Sequence, residues 1–245
     1  MKITVFNGSP NAERGNTHVM VEAFLQGAKE AGAEVENVFL AQKQITPCNG
    51  CYACWMKTPG QCAFQDDMDE LLPKFVSSSI VGFATPLYVD NVTGLMKNFM
   101  DRLIPIGDPH IEKDEHGESR HVKRYDKPTK LIAISNCGFP EQSHFQVLRV
   151  LFRRIARNLS CELIAEIYRG AGAILRSPEP ILQQFLESYK QLLRTAGKEV
   201  VTGSKLSDDT IAQLEKPLIP MPNFADEYMK RANRMYDERL SKLDK

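Results

Sequence analysis

Five short runs rich in β-branched and aromatic residues alternate along this chain with segments of helical periodicity. The first run, KITVFN, is followed by a loop of turn-forming residues and then by apolar residues at helical spacing. Repeated strand–helix units build a parallel sheet that helices cover on both faces. The five runs lie at residues 2–7, 34–40, 79–84, 129–135 and 161–168. The alternation therefore predicts an α/β fold with a doubly wound, five-stranded parallel sheet.

At 245 residues, the chain is long enough for one large domain with an appendage. We predict that residues 1–201 form this domain. Residues 105–127 interrupt the pattern with many charges and few apolar residues, which favours a long surface insertion. Residues 202–245 hold three prolines between two short helical patterns. They are predicted to form a C-terminal helical extension that packs on the core or on a partner subunit.

Composition and charge narrow the possible partners and location. The formal net charge is zero, which argues against a nucleic-acid partner. No apolar run approaches the roughly 18 residues that suggest a membrane span. The N-terminus lacks the layout of a signal peptide. We therefore expect a cytoplasmic protein, without a membrane partner, whose cysteines stay reduced.

The first loop, residues 8–17, enters a predicted helix. It contains neither a Walker A motif nor the G-x-G-x-x-G fingerprint. It does present the side chains of Ser9, Asn16 and Thr17 together with backbone N–H groups at a helix N-terminus. Such a combination suits a phosphate, because the helix dipole and the unpaired donors both favour an anion. The alternative is an ordinary N-capped helix.

Two further loops also follow predicted strands. In doubly wound sheets, ligands bind beyond the carboxyl ends of the strands, so the three loops should converge. Loop 85–93 carries Pro86 and Tyr88, against which a planar heterocycle could lie, although Tyr88 could also be a partly buried core residue. Loop 136–139 could present backbone N–H groups to the carbonyl-bearing edge of a ring.

Four of the six cysteines fall within fifteen residues, with the spacing C-x2-C-x2-C-x7-C. The overlapping triplet resembles the cysteine runs that hold [4Fe–4S] clusters. Zinc is less well matched, because its cysteine pairs are usually well separated. Cysteines without a metal, acting as small hydrophobes or as a redox pair, are the third possibility. The four candidate ligands are Cys48, Cys51, Cys54 and Cys62.

Three motifs together carry a resemblance to a known family. They are G-S-P-N-A-E-R-G-N-T after the first run, P-C-N-G-C-Y-A-C with a later G-Q-C and D-D-M after the second, and T-P-L-Y-V-D-N-V-T-G-L-M-K-N-F-M-D-R after the third. Over roughly residues 1–175 the chain resembles the NADPH-dependent FMN reductase and iron–sulfur flavoprotein branch of the flavodoxin-like superfamily. The resemblance implies a flavodoxin-like fold that binds FMN and assembles as a homodimer or homotetramer.

By the same resemblance, each loop receives a role in binding FMN. The phosphate would be held by Ser9, Asn11, Asn16 and Thr17. The isoalloxazine ring would be lined by Pro86, Leu87, Tyr88 and Asn91, with Asn136, Cys137 and Gly138 on its other edge. For Cys137, a backbone contact is expected rather than thiol chemistry. The cysteine loop would hold the [4Fe–4S] cluster that the resemblance implies.

The expected function is that of an FMN-dependent oxidoreductase. NAD(P)H or a one-electron donor would reduce a quinone, a flavin or another small acceptor, and no side-chain acid or base is assigned. The alternative is an electron carrier or sensor that takes electrons from ferredoxin through a [4Fe–4S] cluster. A run of arginines could hold the 2′-phosphate of NADPH or form a solvated helix face: Arg149, Arg153, Arg154 and Arg157.

Overall fold

A computed structural model describes residues 1–126 and 128–243 of the chain. Five parallel strands form its central sheet, in the order β2-β1-β3-β6-β7. The strands are β1 (Lys2–Asn7), β2 (Glu34–Phe39), β3 (Ile80–Pro86), β6 (Lys130–Asn136) and β7 (Glu162–Arg169). The predicted doubly wound α/β architecture is confirmed. The third strand continues to Pro86 because Thr85 and Pro86 still pair with Ser135 and Asn136 of β6.

Helices cover both faces of the sheet. They are α1 (Asn16–Glu30), α2 (Ala53–Met56), α3 (Met68–Ser77), α4 (Gly94–Asp101), α5 (Gln146–Asn158), α6 (Pro180–Gly203), α7 (Asp208–Glu215) and α8 (Phe224–Leu240). Helices α1 and α6 enclose one apolar core, and α3, α4 and α5 enclose the other. The α1–α6 crossing depends on glycine, because a Cβ on Gly27 would lie 1.9 Å from the Arg194 carbonyl oxygen. Each face of the sheet is thus covered by helices that pack on a separate apolar core.

The segment predicted as an insertion, 105–127, folds largely as a β-hairpin. Its antiparallel strands are β4 (Gly107–Lys113) and β5 (Ser119–Lys123). The hairpin lies against α5, where Arg157 donates to the Asp114 carboxylate at 2.6 Å and Arg154 to Glu118 at 2.7 Å. Lys127, the last residue of that predicted segment, lies outside the described residues.

The arginine run on α5 forms ion pairs within the chain. Besides Arg154 and Arg157, which bind the hairpin, Arg149 donates to Glu215 at 3.0 Å and Arg153 lies 3.7 Å from Glu166. Arg153 and Arg154 remain more than half exposed, as a solvated face requires, whereas Arg157 is largely covered by the hairpin. This pairing does not favour a nucleotide phosphate site on α5.

The C-terminal part of the chain is helical, as predicted. Helix α6 crosses α1, α7 adds Leu214 to the same core, and α8 packs Phe224 and Tyr228 on its edge. Residues 244–245 of the predicted extension lie outside the described residues. Within the described ranges, none of the helices combines the length and the apolar character that a membrane crossing needs.

Candidate functional site

The neighbouring strands β1 and β3 lie where the strand order of the sheet reverses: β2 is added on one side of β1, and β3 and the later strands on the other. At their carboxyl ends, the Gly8 N–H donates to the Ala84 carbonyl at 2.8 Å. The Thr93 hydroxyl donates to the Gly8 carbonyl at 2.7 Å. On the other side of β3, the Leu87 N–H donates to the Asn136 carbonyl at 2.8 Å. These bonds join the loops that follow β1, β3 and β6 at the place where a doubly wound sheet binds ligands.

The first loop offers an anion site at the start of α1. The helix begins at Asn16, its N-cap is Gly15, no side chain caps it, and its first turn contains no acid. Its first N–H groups are therefore free to meet a negative charge, which the helix dipole also favours. Ser9 and Thr17 lie beside this terminus, and both are buried. Asn16 is half-buried and Asn11 is exposed in the turn before it.

Glycine at position 15 is required by close packing within this loop. A Cβ there would lie 2.4 Å from Ser9 Oγ and 3.2 Å from the Ala12 carbonyl oxygen. The Ser9 N–H in turn donates to Asn7 Oδ1 at 3.0 Å. Among the described residues, Asn7 Nδ2 is one of the few buried side-chain atoms without a hydrogen-bond partner. A buried donor of this kind at the edge of the loop fits an acceptor group on a bound ligand.

The second loop forms a tight exposed turn. Tyr88 and Asn91 exchange backbone hydrogen bonds at 2.9 and 3.0 Å, and the two residues between them both have positive φ. One of these is Val89, with φ of +49°, and a β-branched residue is strained in that region. Tyr88 is 48% exposed and Val89 is 98% exposed. The turn thus presents an aromatic ring and an apolar tip on the outside of the fold, and Pro86 and Leu87 are partly covered beneath it.

The third loop is braced from two sides. The Asn136 side chain is buried, and its Nδ2 donates to Thr17 Oγ1 at 2.8 Å. Gly138 is exposed, and its carbonyl accepts a 2.7 Å bond from the Tyr228 hydroxyl of α8. Burial raises the pKa of the Cys137 thiol to about 11, so the thiol stays protonated at neutral pH. Any contact from Cys137 to a ligand therefore involves its backbone or its neutral side chain.

The four clustered cysteines line one small pocket, which we call the cysteine pocket. It has a volume of about 20 Å³. Burial raises the pKa of Cys54. The neighbouring cysteines raise it further, and Cys62 has the largest effect among them. The thiols are all free: Cys48 and Cys51 are exposed, Cys62 is half-buried and Cys54 is buried. Cysteines up to fourteen positions apart in the sequence thus line the same pocket.

A buried ion pair holds the cysteine loop against α4. Arg102 is 1% exposed and donates two bonds to Asp66, at 2.7 and 3.1 Å. It also donates to the Thr46 carbonyl at 2.6 Å, so the clamp joins both ends of the loop. Burial by itself would raise the pKa of Asp66, but hydrogen bonds from Arg102 and from the N–H groups of Thr46 and Met68 outweigh it and lower the pKa to about 2. Asp66 is therefore ionised throughout the neutral range.

Arg102 also belongs to the cysteine pocket itself. Its side chain lines the pocket. Burial alone would lower the pKa of the guanidinium, but the hydrogen bond with Asp66 and, after it, the charge of Cys62 raise that pKa. Its Nε is buried without a hydrogen-bond partner in the described part of the chain. A cation with a free donor fits a centre with four thiolate ligands, because it offsets part of their negative charge.

Single-ion coordination is not favoured by this arrangement. Across residues 1–126 and 128–243, no group of three or more His, Cys, Asp or Glu side chains is arranged to hold a metal ion. A [4Fe–4S] cluster binds one cysteine at each iron, so its sulfur ligands need not meet at a single ion. Four thiols lining one pocket are the donor type that such a cluster needs.

The interior contacts of these sites were not predicted from the sequence. The sequence predicts Asn7 only as the last residue of the first strand, and Thr93 only as the end of loop 85–93. From the sequence, Asp66 is identified only as part of the D-D-M motif. Arg102 was counted only as the end of a motif. Thr93, Asp66 and Arg102 act through partners in distant segments, as when Asp66 meets a residue 36 positions further along the chain.

Similar proteins share parts of this chain. An iron–sulfur flavoprotein of Archaeoglobus fulgidus is 36% identical over 151 residues, which is 62% of this chain and 62% of the relative. An iron–sulfur flavoprotein of Methanosarcina thermophila is 35% identical over 104 residues, 42% of this chain and 53% of that protein. The chain thus spans between half and two thirds of the length of these relatives.

Solved structures agree on the fold. The FMN-dependent NADH-azoreductase of Bacillus anthracis, solved in complex with FMN, has a TM-score of 0.60 at 16% identity, covering 82% of this chain and 99% of that one. An NAD(P)H:quinone oxidoreductase of Methanothermobacter marburgensis has a TM-score of 0.60 at 15% identity, covering 82% and 96%. The fold is therefore flavodoxin-like. A family model described as NADPH-dependent FMN reductase matches residues 1–152, more than half of the chain, and the chain accordingly belongs to that family.

Proposed function

We propose that the chain is an FMN-dependent oxidoreductase that uses NAD(P)H or a one-electron donor to reduce a quinone, a flavin or another small acceptor. One observation carries this proposal. The uncapped start of α1, with Ser9 and Thr17 buried beside it, meets the loops after β3 and β6 at the centre of the sheet. Membership of the FMN reductase family and the names of the structural neighbours support it.

The residues of the three loops would divide the work of holding FMN. Ser9, Asn11, Asn16 and Thr17 would hold the phosphate at the start of α1. Pro86, Leu87, Tyr88 and Asn91 would line the ring, with Asn136, Cys137 and Gly138 along its other edge. When bound, FMN supplies both hydride and single-electron chemistry. The chain's own contribution is to bind the cofactor, orient it and provide N–H donors, and none of its side chains needs to act as an acid or a base.

A second candidate function is an iron–sulfur electron carrier or sensor that takes electrons from ferredoxin. The observation that favours it is the cysteine pocket, where four thiols and the buried Arg102 surround one centre. Cys48, Cys51, Cys54 and Cys62 would hold a [4Fe–4S] cluster, which supplies one-electron transfer when bound. Several relatives are named iron–sulfur flavoproteins, which supports this reading.

Partners and assembly form part of the same proposal. We expect a homodimer or homotetramer in the cytoplasm, with a small-molecule acceptor and, in the second function, ferredoxin. The exposed apolar residues of the second loop and of α8 are suited to contacts between subunits, because Val89, Met229 and Tyr236 are all at least 45% exposed.

The first experiment measures flavin and iron on one sample purified without oxygen. Flavin with about four irons per chain supports the cluster, and flavin without iron leaves the reductase alone. The variant Cys51→Ser should lose its iron and keep its flavin. Cys161→Ser is the matched control, since burial raises the pKa of the Cys161 thiol to about 11 and that thiol lies outside the pocket. Absence of flavin after FMN is added back would contradict the proposal.

Turnover then separates the two functions. Purified protein should oxidise NADH or NADPH in the presence of a quinone if it is the reductase. Rapid reduction by ferredoxin, with no turnover of either nicotinamide, would instead identify the electron carrier. A quinone reduced by NADPH at full rate in Cys51→Ser would show that the cysteine pocket is not needed for the reductase activity.

A further inference from the structure

The guanidinium of Arg102 uses only part of its hydrogen-bonding capacity. Its Nη1 donates to the Thr46 carbonyl at 2.6 Å and to Asp66 Oδ2 at 2.7 Å, and its Nη2 donates to Asp66 Oδ1 at 3.1 Å. A guanidinium has five N–H groups in one rigid plane. These bonds leave two of them over, one on Nε and one on the neighbouring side of Nη2. The Nε atom is buried without a partner among the described residues.

The surroundings of Arg102 point to the cysteine pocket as the place where these two donors act. The ring of Phe64 lies over the guanidinium, with 5.2 Å between the central carbon and the ring centroid, and covers one face of its plane. The side chain is 1% exposed, so bulk water does not reach it. Cys62 lines the same pocket as Arg102, and it is the cysteine whose charge acts most strongly on the guanidinium. A buried cationic donor of this kind needs an acceptor, and a thiolate sulfur is one.

Arg102 also brings positive charge to the cysteine pocket. Among the described residues that line the pocket, no other has a Lys, Arg or His side chain. Asp101 lines it as well, but its carboxylate is paired with Lys97 at 2.6 Å. Asp66 binds the guanidinium without lining the pocket. The ion pair of Arg102 with Asp66 therefore presents its positive end to the four thiols.

We propose that Arg102 is a positioning residue of the cysteine site, whose two remaining N–H groups donate to the Cys62 sulfur and favour the reduced form of a [4Fe–4S] cluster. The inference rests on the second function proposed above, the iron–sulfur electron carrier, and adds a residue that tunes its reduction potential. The electron comes from the one-electron donor of that function, and no bond is broken. Reduction adds one negative charge, which hydrogen bonds to ligand sulfurs and a nearby cation stabilise.

Two variants with opposite expected effects test this role in holoprotein purified without oxygen. Arg102→Lys keeps a cation beside Asp66 but lacks the planar pair of donors. Asp66→Asn keeps the donors and removes the negative charge that partly offsets them. The measurement is a redox titration followed by the EPR signal of the reduced cluster. At a fixed potential, Arg102→Lys should lower the ratio of reduced to oxidised protein at least tenfold, which is 59 mV for one electron, and Asp66→Asn should raise this ratio.

A residue that only clamps the loop would give a different result. Both variants weaken the clamp, so a structural role would shift both ratios in the same direction or leave both unchanged, and either result would overturn the inference. Arg157→Lys is the matched control, because that side chain is 15% exposed, is paired with Asp114 at 2.6 Å and lies outside the cysteine pocket. Its ratio should stay within twofold of the wild type.

A second readout detects the contact itself. The protein is produced with arginine that carries ¹⁵N in the guanidinium group. The pulsed EPR spectrum of the reduced wild-type protein should then show a ¹⁵N hyperfine coupling, which Arg157→Lys keeps and Arg102→Lys loses. Absence of this coupling in the wild type would overturn the inference, even if Arg102→Lys retains no iron for the redox titration.

Iron content and reduction by ferredoxin separate this inference from the function beneath it. If the wild type binds iron and is reduced by ferredoxin but shows neither the coupling nor the opposite shifts, the electron-carrier function stands and the inference fails. If the coupling and the shifts are present but ferredoxin does not reduce the protein, the inference stands and that function fails. If the wild type takes up no iron after reconstitution with iron and sulfide, both fail.

Discussion

The two candidate redox sites of this protein are held in place in different ways. The flavin edge is formed where β1, β3 and β6 end, and its loops are joined by hydrogen bonds between backbone groups and buried side chains. The cysteine pocket lies on a long surface loop between β2 and α3. It is held by a buried ion pair, Arg102 with Asp66, and by side-chain bonds such as that from Asn98 to the Ile45 carbonyl at 2.6 Å.

This difference predicts how each site responds to damage. Many separate hydrogen bonds hold the loops of the flavin edge. Losing one of them should weaken ligand binding without detaching the loops. A buried charged pair is among the contacts that hold the cysteine loop, and removing one partner leaves the other charge buried and uncompensated. The cysteine pocket should therefore be the more fragile of the two sites, and the predictions below test this ranking.

The largest effect is expected from Arg102→Met. The change leaves the Asp66 carboxylate, only 7% exposed, without its cation and should destabilise the protein by about 3–5 kcal/mol. Urea unfolding measures this loss, and iron analysis should show an empty cysteine pocket while flavin content is kept. Lys97→Met on α4, just before Arg102, is the control, because its pair with Asp101 is exposed and should contribute about 0.5 kcal/mol or less.

A double variant sharpens this result. Arg102→Met combined with Asp66→Leu removes both charges, so it should be more stable than Arg102→Met alone. Equal stability of the single and double variants would mean that the pair is not the main support of the loop. Loss of flavin in Arg102→Met would show that the two sites are not independent.

The next effect concerns the flavin edge. Gly15→Ala places a Cβ 2.4 Å from Ser9 Oγ, so the loop at the start of α1 must shift. We expect FMN affinity to fall at least tenfold in a fluorescence titration of the apoprotein, with iron content unchanged. Gly94→Ala is the control, since a Cβ there meets nothing within 4 Å. That variant should bind FMN normally and gain up to about 0.5 kcal/mol of stability.

Acid should weaken the cysteine loop through Asp66. Its carboxyl has a pKa of about 2 in the folded protein against an ordinary 3.8, so the unfolded chain binds the proton more tightly. The resulting stabilisation, about 2 kcal/mol, is complete above about pH 4 and is lost as the pH falls toward 2. Urea midpoints between pH 5 and 2.5 should fall more steeply in wild type than in Asp66→Asn. Parallel slopes in the two proteins would contradict this prediction.

The smallest effect is expected where α8 meets the third loop. Tyr228→Phe removes the hydrogen bond to the Gly138 carbonyl and should cost about 1 kcal/mol, with FMN affinity reduced less than threefold. Tyr236→Phe is the control on the same helix, because that side chain is 56% exposed. An effect on FMN affinity as large as that of Gly15→Ala would mean that α8 has a greater part in the flavin edge than its single bond suggests.

Much of the sheet follows from local patterns. The run 2–7 coincides with β1, and the other four predicted runs overlap β2, β3, β6 and β7. The hairpin strands β4 and β5 were missed because most of their residues are polar or exposed and do not alternate in hydrophobicity. Short α2 was missed as well, since it starts after Tyr52, whose positive φ of 53° is set by the folded loop.

The residues of the candidate sites also fall into two groups, those that local patterns predict and those that they do not. The three loops and the four cysteines could be named from the sequence, because turn residues and cysteine spacing are local signals. Thr93 and Arg102 could not be assigned their parts, because each bonds to a segment far away, as when the Thr93 hydroxyl reaches the Gly8 carbonyl 85 positions earlier. Such pairings depend on strand order, which local patterns do not specify.

By itself, the sequence determined the alternation of strands and helices, the motifs that carry the family resemblance, and the clustering of cysteines. These properties depend on neighbours within a few residues, where hydrophobic period and turn chemistry act directly. Only the tertiary structure decided that four thiols line one pocket, that Arg102 and Asp66 clamp the loop beside it, and that the rings of Trp55 and His121 lie 4.6 Å apart. Those features arise when packing of the two cores brings together side chains whose separation along the chain carries no signal of their contact.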